Sequence, residues 1–553
     1  MKFLRASDTA LLAQADSLEQ AVELNRAWQN IAGIRELVPG ASTVLVHFDP
    51  ARVTAEALMT QLESTDVSTS CDGQARHITI PVTYDGEDLA SVADLLGLSE
   101  ESLIQRHLAA EWTVAFSGFA PGFGYAKSSD PIFQVPRRSS PRTRVPAGAV
   151  GLAGPFTGIY PRESPGGWQL IGHTRDLLWD IHREPPALMA PGTVVRFERE
   201  TRDGVVVSGA PSATHDDAAG EPTPAAVSSS SPDGNALTVI SPGLQMLIQD
   251  TGRAGHAALG VSTSGAADRT AMRQANQAVG NHAQVPVIEC IGAVELEYHG
   301  APSVAVVTGA MGQMQLTATN GAHHKVSGGL PFAVDSGDRL SLGYPQRGLR
   351  YVLAVRGGIQ AESALGSLAT DTLAGLGPSP LKAGDHIAVG DPEAAPYAVE
   401  PLGVQRDLPA PGDTVDLAIT LGPREDWFTP AALEALVGQD WEVTTRSDRV
   451  GLRLLGEVAL ERRVTGELPS EGAVTGAIQV PPDGQPVLFL PDHPLTGGYP
   501  IVGAVTRQDL DLAAQLPPGV RIRFTVPDPA GRQHGSNGTE HLPLNGTEPG
   551  DPR

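Results

Sequence analysis

Apolar residues Leu18, Val22, Leu24, Trp28 and Ile31 recur at helical spacing across 18–31, and this run predicts an amphipathic helix. Residues 43–48 (TVLVHF) alternate as a strand, and 53–63 return to a helical pattern. Residues 1–76 therefore read as a small α/β domain. From 77 to 207 the rhythm shortens. Runs of β type at 78–83, 112–116 and 193–197 alternate with Gly/Pro turns. One helix interrupts them, with Ser99 as its cap and Glu100 and Glu101 in its first turn. The texture predicts a mostly-β domain, closed or partly closed into a barrel.

The second half repeats this texture, and four strings recur in the same order. Residues 112–125 align loosely with 441–454. Gly148-Ala149-Val150 pairs with Gly472-Ala473-Val474. Residues 166–172 (GGWQLIG) pair with 497–503 (GGYPIVG), and 191–197 with 518–524. Two domains, 77–207 and 412–527, are thus expected to share one β fold, with a more diverged β domain over 237–411 between them. Residues 208–236 hold almost no large apolar side chain and read as a flexible linker. Residues 528–553 read as a disordered tail. The linker splits the chain into two halves, each long enough to be a self-sufficient subunit.

Composition narrows the function. The 553 residues are 41% hydrophobic and 18% charged, which is globular. A net charge of −24 argues against nucleic acid and against an anionic membrane surface. No apolar run is long enough to span a bilayer, and the N-terminus lacks a signal-peptide core, so the expected location is cytoplasmic. Two cysteines, Cys71 and Cys290, exclude a disulfide framework and a Cys-based zinc site. His323-His324 lacks a third ligand, and no metal site is expected.

Phosphate-loop, nucleophile-elbow and zinc-helix motifs are absent. What remains is Arg, Asp, Asn and Gln set in glycine-rich turns. Asp250 and Arg253 flank Gly252, and Asp448, Arg449 and Arg453 surround Gly451. An Arg fork suits carboxylate or phosphate, and a neighbouring Asp can hold the fork still. The same pairs could equally brace a turn. Residues 264–281 form the best-defined helix, with Asp268 as N-cap and Gly280 just past its end. Arg269, Arg273 and Asn276 make a polar stripe along it, read either as a solvated face or as ligand contacts. The Ser264-Gly265-Ala266 approach could offer backbone N–H groups to an anion, although Asp268 opposes this. In the first half, the proline-stiffened segment 136–146 carries Arg137, Arg142 and Arg144, either an anion site or an exposed basic loop. His107 and His173 are acid–base candidates or structural histidines.

Residues 118–125 (GFAPGFGY), 136–150 and 164–172 resemble the B subunit of bacterial ATP-dependent 5-oxoprolinase. Residues 242–253, 264–281, 447–453, 476–486 and 497–503 resemble its C subunit. The same modules are known as allophanate-hydrolase-subunit-like and as the tail of urea carboxylase. The resemblance implies cyclophilin-like β-barrels after a small α/β N-terminal domain. It implies an enzyme component that activates 5-oxo-L-proline with ATP, aided by Mg2+, for hydrolysis to glutamate with a separate A-type subunit. A homo-oligomer is left open. On this resemblance Asp250, Arg253, Asp448, Arg449, Arg453 and Gln479 are the catalytic candidates. His107, Arg137, Arg142, His173, Asn276 and Tyr499 are the candidates for substrate or nucleotide binding. The chain departs from the family strings at Ala149, His173, Leu368 and Pro494. Two other readings are a carboxyl-transfer module for urea or another amide, served by biotin on a partner, and a regulatory protein that inhibits a histidine kinase.

Overall fold

The computed structural model describes residues 1–66, 75–138, 140, 142–200, 234–401 and 406–527. The segment read as a linker falls outside the described residues except at its end, where Ala236 already lies buried in a strand. The tail 528–553 also lies outside them.

The N-terminal domain is a four-stranded sheet in the order Lys2–Ser7, Ala10–Gln14, Thr43–Phe48, Ile34–Pro39. Helices Leu18–Ala27 and Ala55–Ser64 start where Ser17 and Thr54 accept backbone N–H bonds from Gln20 and Ala57. Strand alternation sends Leu11, Ala13, Val44 and Val46 toward Trp28, Leu58 and Leu62 of the helical layer. It sends Ala10, Leu12 and Leu45 the other way, against Ala477, Phe489, Ile501 and Ala504 of the C-terminal barrel. Both faces are covered, which explains the apolar runs at 10–13 and 44–46.

The two β domains correspond strand by strand. The first has the order Gln169–His173, Ala149–Ala153, Phe156–Ile159, Gly124–Ser128, Trp112–Ser117, Val194–Arg199, His77–Val82. An isolated bridge between Thr83 and His173 joins its two ends. The second is a closed barrel whose strands follow the same order: Ile501–Val505, Ala477–Gln479, Val487–Phe489, Gly451–Leu455, Trp441–Val443, Arg521–Thr525, Thr414–Leu421. In each, the first and last strands of the domain run parallel. One string pairing needs correction. Gly148 and Gly476, each at positive φ, immediately precede the equivalent strands. Ala149 pairs with His173, and Ala477 with Ala504. The counterpart of Gly148-Ala149-Val150 is therefore Gly476-Ala477-Ile478. Gly472 lies four residues upstream, in a two-stranded ribbon opposite Thr496.

Between the barrels, a seven-stranded and a five-stranded sheet share one apolar core that includes Val239, Ile248, Leu296, Val307 and Leu353. The helix Arg269–Ala278 has Asp268 accepting from Ala271 N, and Gly280 follows it at positive φ. Its Ala271, Met272, Ala275 and Ala278 cover Val306, Val352 and Ala354 of the five-stranded sheet. Arg269 and Arg273 face solvent, but Asn276 does not. It is fully buried and donates to Val285 O at 2.7 Å. The N–H groups at the helix start are taken by the protein's own carboxylates. Glu289 accepts from Ala267 N, and Asp511 from Arg269 N and Thr270 N. In the approach to the helix, Ala266 N is likewise taken, by Asp250 O at 2.8 Å. Among the described residues no helix is long and apolar enough to cross a membrane.

The two halves meet over apolar surface. Besides the N-terminal sheet on the second barrel, Trp179 and Ala187 pack with Val261, Ala374 and Leu376. Glu36 adds hydrogen bonds from Gly255 N and Ala257 N. Each large apolar side chain removed from water contributes about 1.5–3 kcal/mol. Residues 1–200 and 234–553, expressed as two polypeptides in one cell, should therefore co-purify as a one-to-one complex. Separate elution of the two pieces would show that the seam is too weak to hold them without a covalent link.

Candidate functional site at the seam of the two halves

Arg137 lies between the strands Gly124–Ser128 and Arg142–Val145. Two contacts fix its backbone: the bridge Val135–Gly154 and the bond from Arg138 N to Gly167 O at 2.9 Å. Arg138 turns back to Asp88 of its own half, at 2.6 Å. Arg137 points the other way and donates from Nη2 to Ser470 Oγ at 3.0 Å. Ser470 is buried, and its carbonyl accepts from Ala41 N at 2.7 Å. One serine thus joins the first barrel, the N-terminal sheet and the second barrel.

A second crossing lies beside it. Phe119 N donates to Thr496 Oγ1 at 3.0 Å. Phe119 has φ 63°, a left-handed conformation that a bulky residue adopts only when its surroundings enforce it. Thr496 opens the stretch Gly497-Gly498-Tyr499. A side chain at 497 would meet Gln479 Nε2 at 2.7 Å, and one at 498 would collide with Arg137 Nη1. A side chain at either position would have to displace a donor, Gln479 from its own half or Arg137 from the other, so the bare backbone is what lets both donors approach. Gln479 Nε2 also reaches Tyr499 O at 3.5 Å. The Arg462 guanidinium stands over the Tyr499 ring, its carbon 5.6 Å from the centroid. The seam therefore gathers two arginines, an amide, two hydroxyls and an aromatic ring, with 497–499 half-buried. Such a set can hold an oxyanion and hydrogen-bond a planar amide. Among the described residues no three His, Cys, Asp or Glu side chains are placed to hold a metal ion. A mainly apolar void lies elsewhere, in the sandwich core, among Leu237, Leu296, Leu340 and Leu353.

Arg137, Gln479 and Tyr499 are thus brought together, whereas the other expected site residues lie elsewhere. In both Asp–Arg strings the acid and the base part company. Asp250 accepts from Gly252 N, Ser367 Oγ and Leu368 N, while Arg253 donates to the carbonyls of Ala364 and Ala369. The departure at Leu368 thus leaves the Asp250 contact intact, because that contact is made by the backbone. Asp448 caps its own turn through Val450 N and Gly451 N. Arg449 is fully buried, bonded to Asp492, Glu289 and Gly265 O. Burial alone would lower its pKa, but Asp492 and Glu289 outweigh burial and raise it. With its fork fully committed, Arg449 braces two domains and has no face for a substrate. Arg453 projects from its strand into solvent. Arg142 is held by Asp88 and Glu87. His173, half-exposed, pairs with Asp85 at 2.8 Å. Asn276 is internal, on the buried side of its helix.

His107 belongs to the core. It lies between Tyr84 and Thr157 at 2.7 and 3.0 Å and stacks on Phe197. Trp112 Nε1 donates to its carbonyl, just as Trp441 Nε1 donates to Leu436 O in the second barrel. The equivalent position thus holds a buried leucine. Burial drives the His107 pKa from 6.5 to about 3. His47, beside His493 at the seam, falls to about 4, from burial first and then the charges of His493 and Arg35. Both stay neutral in the folded protein, whereas the unfolded chain takes up protons below pH 6.5. Stability is then fully present above pH 6.5 and falls as the pH drops toward the folded values. Between pH 7 and 5 each group should remove about 2 kcal/mol. Urea midpoints across that range should fall less steeply for His107→Gln; parallel slopes would show that His107 is not buried neutral.

Residues 1–189 match the carboxyltransferase domain, subdomains C and D, and 259–526 match its subdomains A and B. The chain belongs to this carboxyltransferase-domain family, with both parts on one polypeptide. It is 38% identical to the 5-oxoprolinase B subunit of Escherichia coli O157:H7 over 34% of this chain and 92% of that one. It is 34% identical to the 5-oxoprolinase C subunit of Escherichia coli K12 over 52% of this chain and 90% of that one. A crystal structure of the protein TTHA0988 superposes with TM-score 0.76 at 33% identity, over 93% of this chain and 99% of the other. Urea amidolyase of Lachancea kluyveri is 31% identical over 52% of this chain, which spans only 17% of that enzyme.

Proposed function

We propose that the chain is the fused B–C component of an ATP-dependent 5-oxoprolinase. The observation that carries this reading is coverage. The chain accounts for nearly all of a B subunit and nearly all of a C subunit, in order, but for a small part of a urea amidolyase. The substrate would be 5-oxo-L-proline, a lactam whose carbonyl is a poor electrophile. Transfer of the γ-phosphoryl group of ATP to the lactam oxygen gives water a carbon it can attack, and ring opening then yields L-glutamate and phosphate. Gln479 would hydrogen-bond the planar amide, Arg137 would hold a carboxylate or phosphoryl oxygen, and Tyr499 would flank the ring. Mg2+ would enter chiefly on the nucleotide phosphates, since it is commonly held by only one or two carboxylates together with them. Hydrolysis would be completed with an A-type subunit docked on this chain, which shields a labile phosphorylated intermediate from bulk water.

Membership of a carboxyltransferase-domain family supports carboxyl transfer as a second reading; the acceptor would be urea or a related amide, with biotin supplied by a partner. Supplying 5-oxoproline with ATP and an A-type subunit, in parallel with urea and a carboxylated biotin carrier, separates the two. Glutamate in the first reaction supports the proposal. Allophanate in the second, with no glutamate in the first, replaces it.

A further inference from the structure

We propose that Arg462 is a ligand-binding residue of the seam site, placed to receive an oxyanion of the bound molecule. The inference rests on the seam being that site. Arg462 lies in 456–470, which contains no strand or helix and connects Gly451–Leu455 to Glu471–Gly472. Stretches of this length without regular structure are commonly functional. This one spans the site, since it carries Arg462 near its middle and Ser470, the partner of Arg137, at its end.

The state of the Arg462 guanidinium points to an absent partner. Nη2 donates to Val480 O, and Nε is buried without a hydrogen bond. No carboxylate among the described residues forms a salt bridge with it, and burial lowers its pKa. Other buried arginines of this barrel are fully matched: Arg424 is bidentate on Glu471, and Arg449 is held by Asp492 and Glu289. The Tyr499 face compensates only part of the lost hydration. Arg138, Arg142, Arg347 and Arg350 also carry an unmatched nitrogen, but each of them faces a carboxylate. Arg183 spends both Nη atoms on three carbonyls, and Arg253 is 2% exposed, so a ligand cannot reach it, whereas Arg462 is half-buried. Val480 follows Gln479, so Arg462, Gln479 and Tyr499 form one group, and Arg137 approaches the adjacent Gly498 from the other half. A planar fork suits a phosphate chain and a carboxylate equally.

Calorimetric titration of the full chain with tripolyphosphate and, separately, with 5-oxoproline tests this and identifies the anion. Wild type should bind at least one of them. Arg462→Gln should weaken that binding more than tenfold, and Arg462→Lys less. Arg463→Gln should leave affinity unchanged, because Arg463 turns to Asp426 O. The melting temperature should remain near the wild-type value in all three. Failure of wild type to bind either probe, equal affinity in Arg462→Gln, or equal loss in Arg463→Gln would each overturn the inference. Binding that depends on Arg462 without 5-oxoproline turnover would retain it and reject the 5-oxoprolinase reading. Turnover with no dependence on Arg462 would do the reverse.

Discussion

Arg449→Ala is expected to lower stability by about 3–5 kcal/mol, the usual cost of removing one partner from a buried ion pair. Arg449 joins the second barrel to the central sandwich. Its fork meets Asp492 at 3.0 and 3.2 Å, and it also reaches Glu289 on the strand Val287–Ile291. Without it Asp492 keeps only neutral donors, Ser264 Oγ, Thr372 N and Thr372 Oγ1. Glu289 retains Arg350 at 3.5 Å and Ala267 N. Arg453→Ala, at an exposed position four residues on, should change stability by no more than about 0.5 kcal/mol. The two substitutions are near neighbours in the sequence and opposite in consequence. Chemical denaturation distinguishes them, and an Arg449→Ala protein as stable as wild type would mean that the buried network is not a brace.

Arg137→Ala and Gln479→Ala are expected each to lower kcat/KM for the amide substrate more than tenfold, which corresponds to about 1.4 kcal/mol of transition-state stabilisation. Stability should barely change for Arg137, whose side chain is tied to its surroundings by the Nη2 bond to Ser470. Ser470→Ala should cost less, because it removes the hydroxyl that steadies Arg137 and leaves the guanidinium in place. His107→Gln should leave the kinetic constants unchanged. Steady-state kinetics on these variants checks the seam assignment. Activity lost at His107 and kept at Arg137 would transfer the site into the first barrel.

Much of the fold was legible in the sequence because strand alternation and Gly/Pro turns are local signals. The strand at 43–48, the helix after Ser99 and the cap at Asp268 stand where the pattern puts them. The order of repeated strings anticipated two barrels with matching topology. Short strings do not fix register, and Gly472-Ala473-Val474 attracted a match that belongs to Gly476-Ala477-Ile478. The site was only partly legible. The Gly-Gly-aromatic string led to Tyr499, but neighbouring Asp and Arg residues do not announce whether they will pair. Asp448 serves its own turn, and the partner of Arg449 is Asp492, far along the chain. Ser470, Thr496 and Arg462 carry no local signal, because their importance comes from contacts across the seam or over Tyr499. The length of the stretch between the strands at 451–455 and 471–472 was the one available clue. His107 misled because a buried histidine and a catalytic one look alike until the equivalent position, Leu436, is known.

The most direct test of the account is the stoichiometry of glutamate and ADP formed from 5-oxoproline, ATP and Mg2+. It should be measured with the purified chain alone, with an A-type subunit alone, and with both. Either protein alone should give little glutamate, and the pair should give equal yields of glutamate and ADP. Full turnover by the chain alone would contradict the division of labour. No glutamate from the pair, with both proteins folded and associated, would contradict the function.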